Sequence, residues 1–142
     1  MKLKQISLFV ENKPGSMTAP ARILAAAGID ISTLMLADTK EYGILRILTR
    51  DWEKAKKALE DANFTVILTD VVAVEIEDRP GGLAKVFEAL DNHQIDVDYM
   101  YAFTESRGTK AIVIFRFERP DEAIDALSKE GIGLVDGSLL FS

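Results

Sequence analysis

Glu11-Asn12-Lys13-Pro14-Gly15-Ser16-Met17 returns as Glu77-Asp78-Arg79-Pro80-Gly81-Gly82-Leu83, 66 residues later (77 minus 11). Ahead of each copy lies an alternating apolar segment, Ile6, Leu8, Val10 and then Val72, Val74, Ile76, and the same offset carries one set onto the other. Alternation of this kind puts the three side chains on one face of a strand, with Gln5, Ser7 and Phe9 on the other face of the first. Behind each copy the spacing becomes helical. Met17, Pro20, Ala21 and Leu24 stand at i, i+3, i+4 and i+7, and so do Leu83, Val86, Phe87 and Leu90. Pro20 is compatible with a helix because it falls in the first turn. Each copy is therefore a strand that runs through a Pro-Gly turn into a helix, and the chain is an internal repeat.

Working outward, Gly28 ends the first helix as a C-terminal cap would, and Gln94 takes its place in the second. The alternating runs Ile29 to Met35 and Ile95 to Tyr101 are predicted second strands. Polar turns follow, Asp38-Thr39-Lys40-Glu41-Tyr42-Gly43 and Thr104-Glu105-Ser106-Arg107-Gly108, each leading into a β-rich run, Ile44 to Leu48 and Ala111 to Phe117. The second hairpin is two residues longer, so the offset becomes 68 (120 minus 52) and Trp52, Ala55, Leu59 align with Pro120, Ala123, Leu127 of a further helix. Asp51 is placed as an N-cap, and Pro120 suits the first helical position. Short strands around Thr65–Leu68 and Gly133–Val135 close the units.

The order in each unit is strand, helix, strand, strand, helix, strand. A helical crossover joins parallel strands of one sheet, and its fixed hand leaves few topologies. The reading is an α+β chain of two tandem ferredoxin-like βαββαβ units, residues 1–69 and 70–142, with antiparallel sheets that carry their helices on one face. Phe9, Leu34 and Leu36 are expected on the face away from the helices. Such a face is predicted to contribute to a dimer or to packing between units.

Composition narrows the function classes. Of 142 residues, 48% are hydrophobic and 28% charged, with no apolar run long enough to span a bilayer. The start passes directly from Met1-Lys2-Leu3-Lys4 into the first strand, without a signal-peptide apolar stretch, and a cytoplasmic location is expected. Cysteine is absent and His93 is the single histidine, which excludes disulfides and thiolate sites and leaves no His cluster for zinc. Net charge is −6, shared unevenly: residues 1–70 hold ten Lys/Arg against nine Asp/Glu, and 71–142 hold seven against fourteen. Nucleic acid is a poor partner for so acidic a second half.

The repeated unit resembles the ACT domain: about 70 residues of βαββαβ with an Asn or acidic residue, a basic residue, Pro-Gly and an apolar residue at the first strand-to-helix turn. Here the signature reads Asn12-Lys13-Pro14-Gly15-Ser16-Met17 and Asp78-Arg79-Pro80-Gly81-Gly82-Leu83, and the two units cover nearly the whole chain. The resemblance implies a free-standing tandem regulatory protein with no enzyme attached, its units paired side by side. It further implies a small amino-acid ligand where the first turn of one unit meets the second strand of its neighbour. Carried over by position, the ligand residues are Asn12, Lys13, Pro14, Gly15, Ser16, Met17 with Leu34, Met35, Leu36, and Asp78, Arg79, Pro80, Gly81, Gly82, Leu83 with Met100, Tyr101, Ala102. No cofactor, metal, membrane or nucleic acid is expected; an unidentified protein target is, and a homodimer is expected because the chain holds only two units and carries a spare apolar sheet face.

The residues support these positions by themselves. A ligand carboxylate suits backbone N–H groups near Gly15-Ser16 or Gly81-Gly82 at a helix start. Strand carbonyls, Asn12 or Asp78 can accept from its ammonium. Both glycines also answer to a plain tight turn that needs positive φ. Asn12 both donates and accepts whereas ionised Asp78 only accepts, so the first turn is expected to hold a carboxylate more readily than the second. His93 has no partner for catalysis, Trp52 reads as a core anchor, Tyr99, Tyr101 and Phe103 fill one sheet face, and Lys54, Lys56, Lys57 form a solvated helix face. Other functions on this strand order fare worse. An RNA-binding sheet needs aromatic residues on central strands and positive charge, and Ile44-Leu45-Arg46-Ile47-Leu48 has no aromatic. An acylphosphatase-like enzyme needs an Arg-lined phosphate loop with a positioned Asn; Arg79 lies in such a turn without a nucleophile or base. A protein-interaction module with no ligand stays open.

Overall fold

The repeat becomes two units with separate cores in the computed structural model, which describes residues 1–38, 41–105 and 108–141. One unit is Lys4–Thr69 and the other is Asp70–Ser142 together with Met1–Leu3. The first holds β1 (Lys2–Glu11), α1 (Thr18–Ala26), β2 (Thr33–Asp38), β3 (Tyr42–Leu48), α2 (Trp52–Asp61) and the start of β4 (Val66–Glu77). Its strand order is β2-β3-β1-β4, with β3 antiparallel to both β1 and β2. The second holds the rest of β4, then α3 (Gly82–Asn92), β5 (Tyr99–Ala102), β6 (Lys110–Arg116), α4 (Pro120–Lys129), β7 (Leu134–Val135) and α5 (Gly137–Leu140). Its order is β5-β6-β4 with β7 antiparallel on the other edge of β4. Both are ferredoxin-like sheets, and the α+β reading holds.

Each core forms between one sheet face and two helices. In the first unit Ile6, Leu8, Val10, Leu45 and Ile47 meet Leu24, Ala55 and Leu59. In the second Val72, Val74, Val113 and Phe115 meet Val86, Leu90, Ala123 and Leu127. Burying each large aliphatic side chain contributes about 1.5–3 kcal/mol, so these rows carry the stability of their units. Trp52 packs against the first core, as an anchor should. Lys56 and Lys57 pair with Glu60 and Asp61 one turn on, as a solvated helix face does.

The four longer helices end in the same way. Gly28, Asn63, Gln94 and Gly131 have φ of +70°, +70°, +55° and +73°. The following residues, Ile29, Phe64, Ile95 and Ile132, donate their N–H groups back to Leu24, Leu59, Leu90 and Leu127 at 2.9–3.0 Å. This is the Schellman closure, in which the residue after the left-handed one also packs on the last turn.

It explains why the second strands begin later than predicted, at Thr33 and Tyr99 rather than Ile29 and Ile95. The N–H groups of both isoleucines are spent on closing a helix, and their side chains are buried for that reason. Ser32 donates to the Leu48 carbonyl at 2.9 Å and Thr49 Oγ1 to the Asp30 carbonyl at 2.7 Å, which lead the chain into β2.

Other expectations are corrected. Leu34 and Leu36 lie opposite Ile47 and Leu45, whose row also includes Ile6 and Leu8, so they are on the helix-bearing face; only Phe9 is on the other. They are nonetheless 50% and 51% exposed, because β2 is at the edge of the sheet order. Ala21 is exposed, and Ile23 and Ala27 pack against the core with Met17. Asp51 precedes α2 without a capping side-chain bond. The closing strand of the first unit and the opening strand of the second are one element, β4, since Thr69-Asp70 offers neither Gly nor Pro to break it. The short α5 was not foreseen; Asp136 Oδ1 caps it by accepting from Leu139 N–H at 3.1 Å. Of the hairpin turns, Thr39, Lys40, Ser106 and Arg107 lie outside the described residues.

Gln94 alone among the four closures has neither glycine nor asparagine in the left-handed position. Gln94→Gly is expected to stabilise the protein by about 0.5–1 kcal/mol, and Gly28→Ala to destabilise it by about 1 kcal/mol, both read from denaturant unfolding.

Candidate functional site

The two Pro-Gly turns have one geometry. Ser16 N–H donates to the Lys13 carbonyl at 3.3 Å, and Gly82 N–H to that of Arg79 at 3.0 Å. Gly15 and Gly81, third in each four-residue turn, have φ of +89° and +90°. Proline second and a left-handed glycine third make a type II turn. Each is tied to the hairpin beside it, Asn12 N–H to the Glu41 carbonyl at 3.2 Å and Asp78 N–H to that of Thr109 at 3.0 Å. The N–H groups of Ser16 and Gly82, expected to be free for a ligand, are thus spent inside the turn. Within each turn and the residue that follows it, the N–H groups of Gly15 and Met17, and of Gly81 and Leu83, have no protein acceptor.

The side chains of the turns divide by burial. Asn12, Lys13, Pro14, Asp78, Arg79 and Pro80 are exposed, while Met17 and Leu83 lean onto their cores. Of the second-strand positions, Met35 lies opposite Arg46 on the face away from the helices, between exposed Leu34 and Leu36. In the second unit Met100 packs into the core opposite Phe115, half-buried Tyr101 is opposite Ile114 on the other face, and Ala102 is exposed opposite Val113. Within the first unit, β2 ends level with the last paired residues of β1, since Asp38 and Val10 both lie opposite Gly43. The turn and the end of the second strand are therefore at one end of the sheet, with β3 between them.

A family model described as an ACT domain pair matches residues 1–140. The chain belongs to this family. A protein of known structure from Bacteroides thetaiotaomicron is 37% identical over all of this chain and 97% of its own, with a TM-score of 0.92. The regulatory subunits of aspartate kinase from Thermus thermophilus and Thermus flavus share the fold at 19% identity. Their TM-scores are 0.63 and 0.61, over 89% and 90% of this chain and 91% and 92% of theirs. No curated protein matches the chain.

The two ACT units diverge around their common turn. Glu11 pairs with Lys13 at 2.8 Å, both well exposed. Its counterpart Glu77 pairs instead with its cross-strand neighbour Lys110, Nζ to Oε1 2.6 Å, with the side chains 36% and 39% exposed. The hydrogen bond and charge of Lys110 hold the Glu77 carboxyl below its ordinary value, and Arg79 and Lys85 add to the effect. In the first unit the places of Lys85 and Lys110 are taken by Ala19 and Tyr42. Gly82 differs from its counterpart Ser16 for a steric reason: a Cβ there would stand 2.0 Å from the Glu77 carbonyl oxygen.

Glu75, Lys85 and Lys110, which lie beside the second turn, were missed by sequence reasoning. A position-by-position comparison of the two repeats would have found them, because each is charged where the first copy has Phe9, Ala19 or Tyr42. Among the described residues no group of His, Asp and Glu is arranged to hold a metal, and no helix is long and apolar enough to cross a membrane.

Gly82→Ser should cost about 3 kcal/mol of stability through backbone overlap, whereas the reverse change Ser16→Gly should cost about 1 kcal/mol or less; chemical denaturation compares them. Glu77 is stabilised in its charged form, so its contribution is present above its ordinary value of 4.5 and is lost as the pH falls through the lowered one. Between neutral pH and the acid range the melting temperature of the wild type should accordingly fall more steeply than that of Glu77→Gln.

Proposed function

We propose that the protein is a cytoplasmic regulatory sensor that binds a small amino acid where the Pro-Gly turn of one ACT unit, 1–69 or 70–142, meets the second strand of a neighbouring unit set side by side with it. The observation that carries this reading is the repeated type II turn. It leaves the N–H groups of Gly15 and Met17, and of Gly81 and Leu83, unspent at the start of a helix, where a carboxylate is favoured by hydrogen bonding and by the helix dipole. Gly15 also has open space where a Cβ would be, so a ligand can approach the main chain. Asn12 and nearby strand carbonyls would accept from the ammonium group.

The role is binding rather than catalysis. A ligand at such a junction acts by favouring one arrangement of units over another, and the altered surface is then read by a protein target. The known aspartate kinase relatives in fold are regulatory subunits, which supports this kind of role. Leu34 and Leu36 are half exposed on the edge strand β2, which supports a homodimer as the working state.

A thermal-shift screen of the twenty amino acids tests the proposal. A ligand at about 100 times its dissociation constant adds about 2.7 kcal/mol to folding, enough to raise the melting temperature measurably. One or two hits are expected, with the shift abolished by Gly15→Val or Asn12→Ala. A flat response to all twenty would remove the amino-acid reading.

A further inference from the structure

Met1, Lys2 and Leu3 belong to the second unit, although β1, which Lys2 opens, runs on through the first. Leu3 is buried, at 7% exposure, and so is Leu140 of α5, yet neither is part of the core between helices and sheet. Leu3 packs instead on the main chain of α5: a Cβ on Gly137 would stand 3.2 Å from Leu3 Cδ2 and 3.8 Å from the Phe141 ring. Lys2 reaches the first turn of α4, with Nζ 3.1 Å from Asp121 Oδ1. That pair is exposed, and it directs the segment more than it stabilises it.

The second unit needs such a cover because its closing strand is short. At the offset of 68, Asp136 stands where the first copy has Leu68 (136 minus 68). There β4 runs on without a break, whereas β7 ends at Val135 and pairs with β4 only at Ala73 and Val74. Asp136 turns the chain into α5, its Oδ1 accepting from Leu139 N–H at 3.1 Å and from Ser138 Oγ at 2.6 Å. A helix of four residues is too short to persist by itself, so α5 depends on what it packs against.

We propose that Met1-Lys2-Leu3 is a strap that closes the second unit, held shut by Leu3 against the main chain of Gly137, and that α5 and the end of β7 open when it lifts. Gly137 is not in the left-handed region, so its backbone would admit an alanine, which a helix ordinarily prefers. The space that the extra methyl would take is filled by Leu3. The strap leads directly into the strand that ends at the first Pro-Gly turn, since β1 is unbroken from Lys2 to Glu11. β4 makes the reverse passage, from Val66 in the first unit to the second turn after Glu77. The closing end of the second unit is thus tied, through one strand, to the turn of the first. Opening of this end is a local event that leaves the core rows of both units in place.

Hydrogen exchange of the full chain, resolved by segment, tests the strap. In Leu3→Ala the amides of residues 134–141 should exchange about tenfold faster or more, while those of α1 and α2 keep their wild-type rates. The seat is tested by Gly137→Ala in two backgrounds. It should raise the melting temperature by at least about 2 °C more in Leu3→Ala than in the wild type, because only the shortened side chain leaves room for the methyl group. Exchange at 134–141 that is unchanged in Leu3→Ala, or accelerated no more than in α1 and α2, would overturn the strap. Equal shifts for Gly137→Ala in the two backgrounds would overturn it as well.

Discussion

The structure depends on four leucines that close four helices. Leu24, Leu59, Leu90 and Leu127 are buried and each accepts, through its carbonyl, the N–H of the residue five positions on. That bond reverses the chain through a left-handed residue and drops the next apolar side chain back toward the same core. The cost of a left-handed residue is small for Gly28 and Gly131 and larger for Asn63 and Gln94, and it is offset by an apolar side chain buried on each side of the closure. Because the closure sets where each helix stops, it also sets where the following strand can begin. The delayed starts of β2 and β5 are its consequence.

On that common frame the two units have drifted apart in chemistry while keeping one backbone. Gly15 and Gly81 share a φ within a degree, and the turns share their internal hydrogen bond and their tie to the hairpin. What differs is the company of the glutamate that ends the strand. Glu11 is answered by the exposed lysine two residues on, Glu77 by Lys110 across the sheet with Arg79 and Lys85 near. The acidic balance of the second half of the sequence therefore misdescribes its turn, where three cations gather. Charge summed over a half-chain reports on solubility and long-range attraction, not on the few groups within reach of a ligand.

Much of this was legible before any coordinates. The offset of 66 and then 68 located both units, their helices and the rows of core side chains, because periodicity of 2 and 3.6 reports directly on which face is buried. Gly28 and Gln94 were recognisable as helix ends, and the Pro-Gly stretch as a turn requiring positive φ. Errors arose where one signal served two purposes. Ile29 and Ile95 alternate like strand residues but are buried to cap a helix. Leu34 and Leu36 are apolar and exposed not by facing away from the helices but by standing at the sheet edge.

Sequence by itself determined the duplication, the βαββαβ order of each unit and the residues of the turn, since these rest on local spacing and on what proline and glycine permit. Tertiary structure alone decided which turn N–H groups are left unspent, that Gly82 admits no side chain, and that Glu77 pairs with Lys110 across the sheet. Those outcomes depend on distances between segments far apart in the chain, and such distances are set by packing of the whole unit rather than by the pattern of any one stretch.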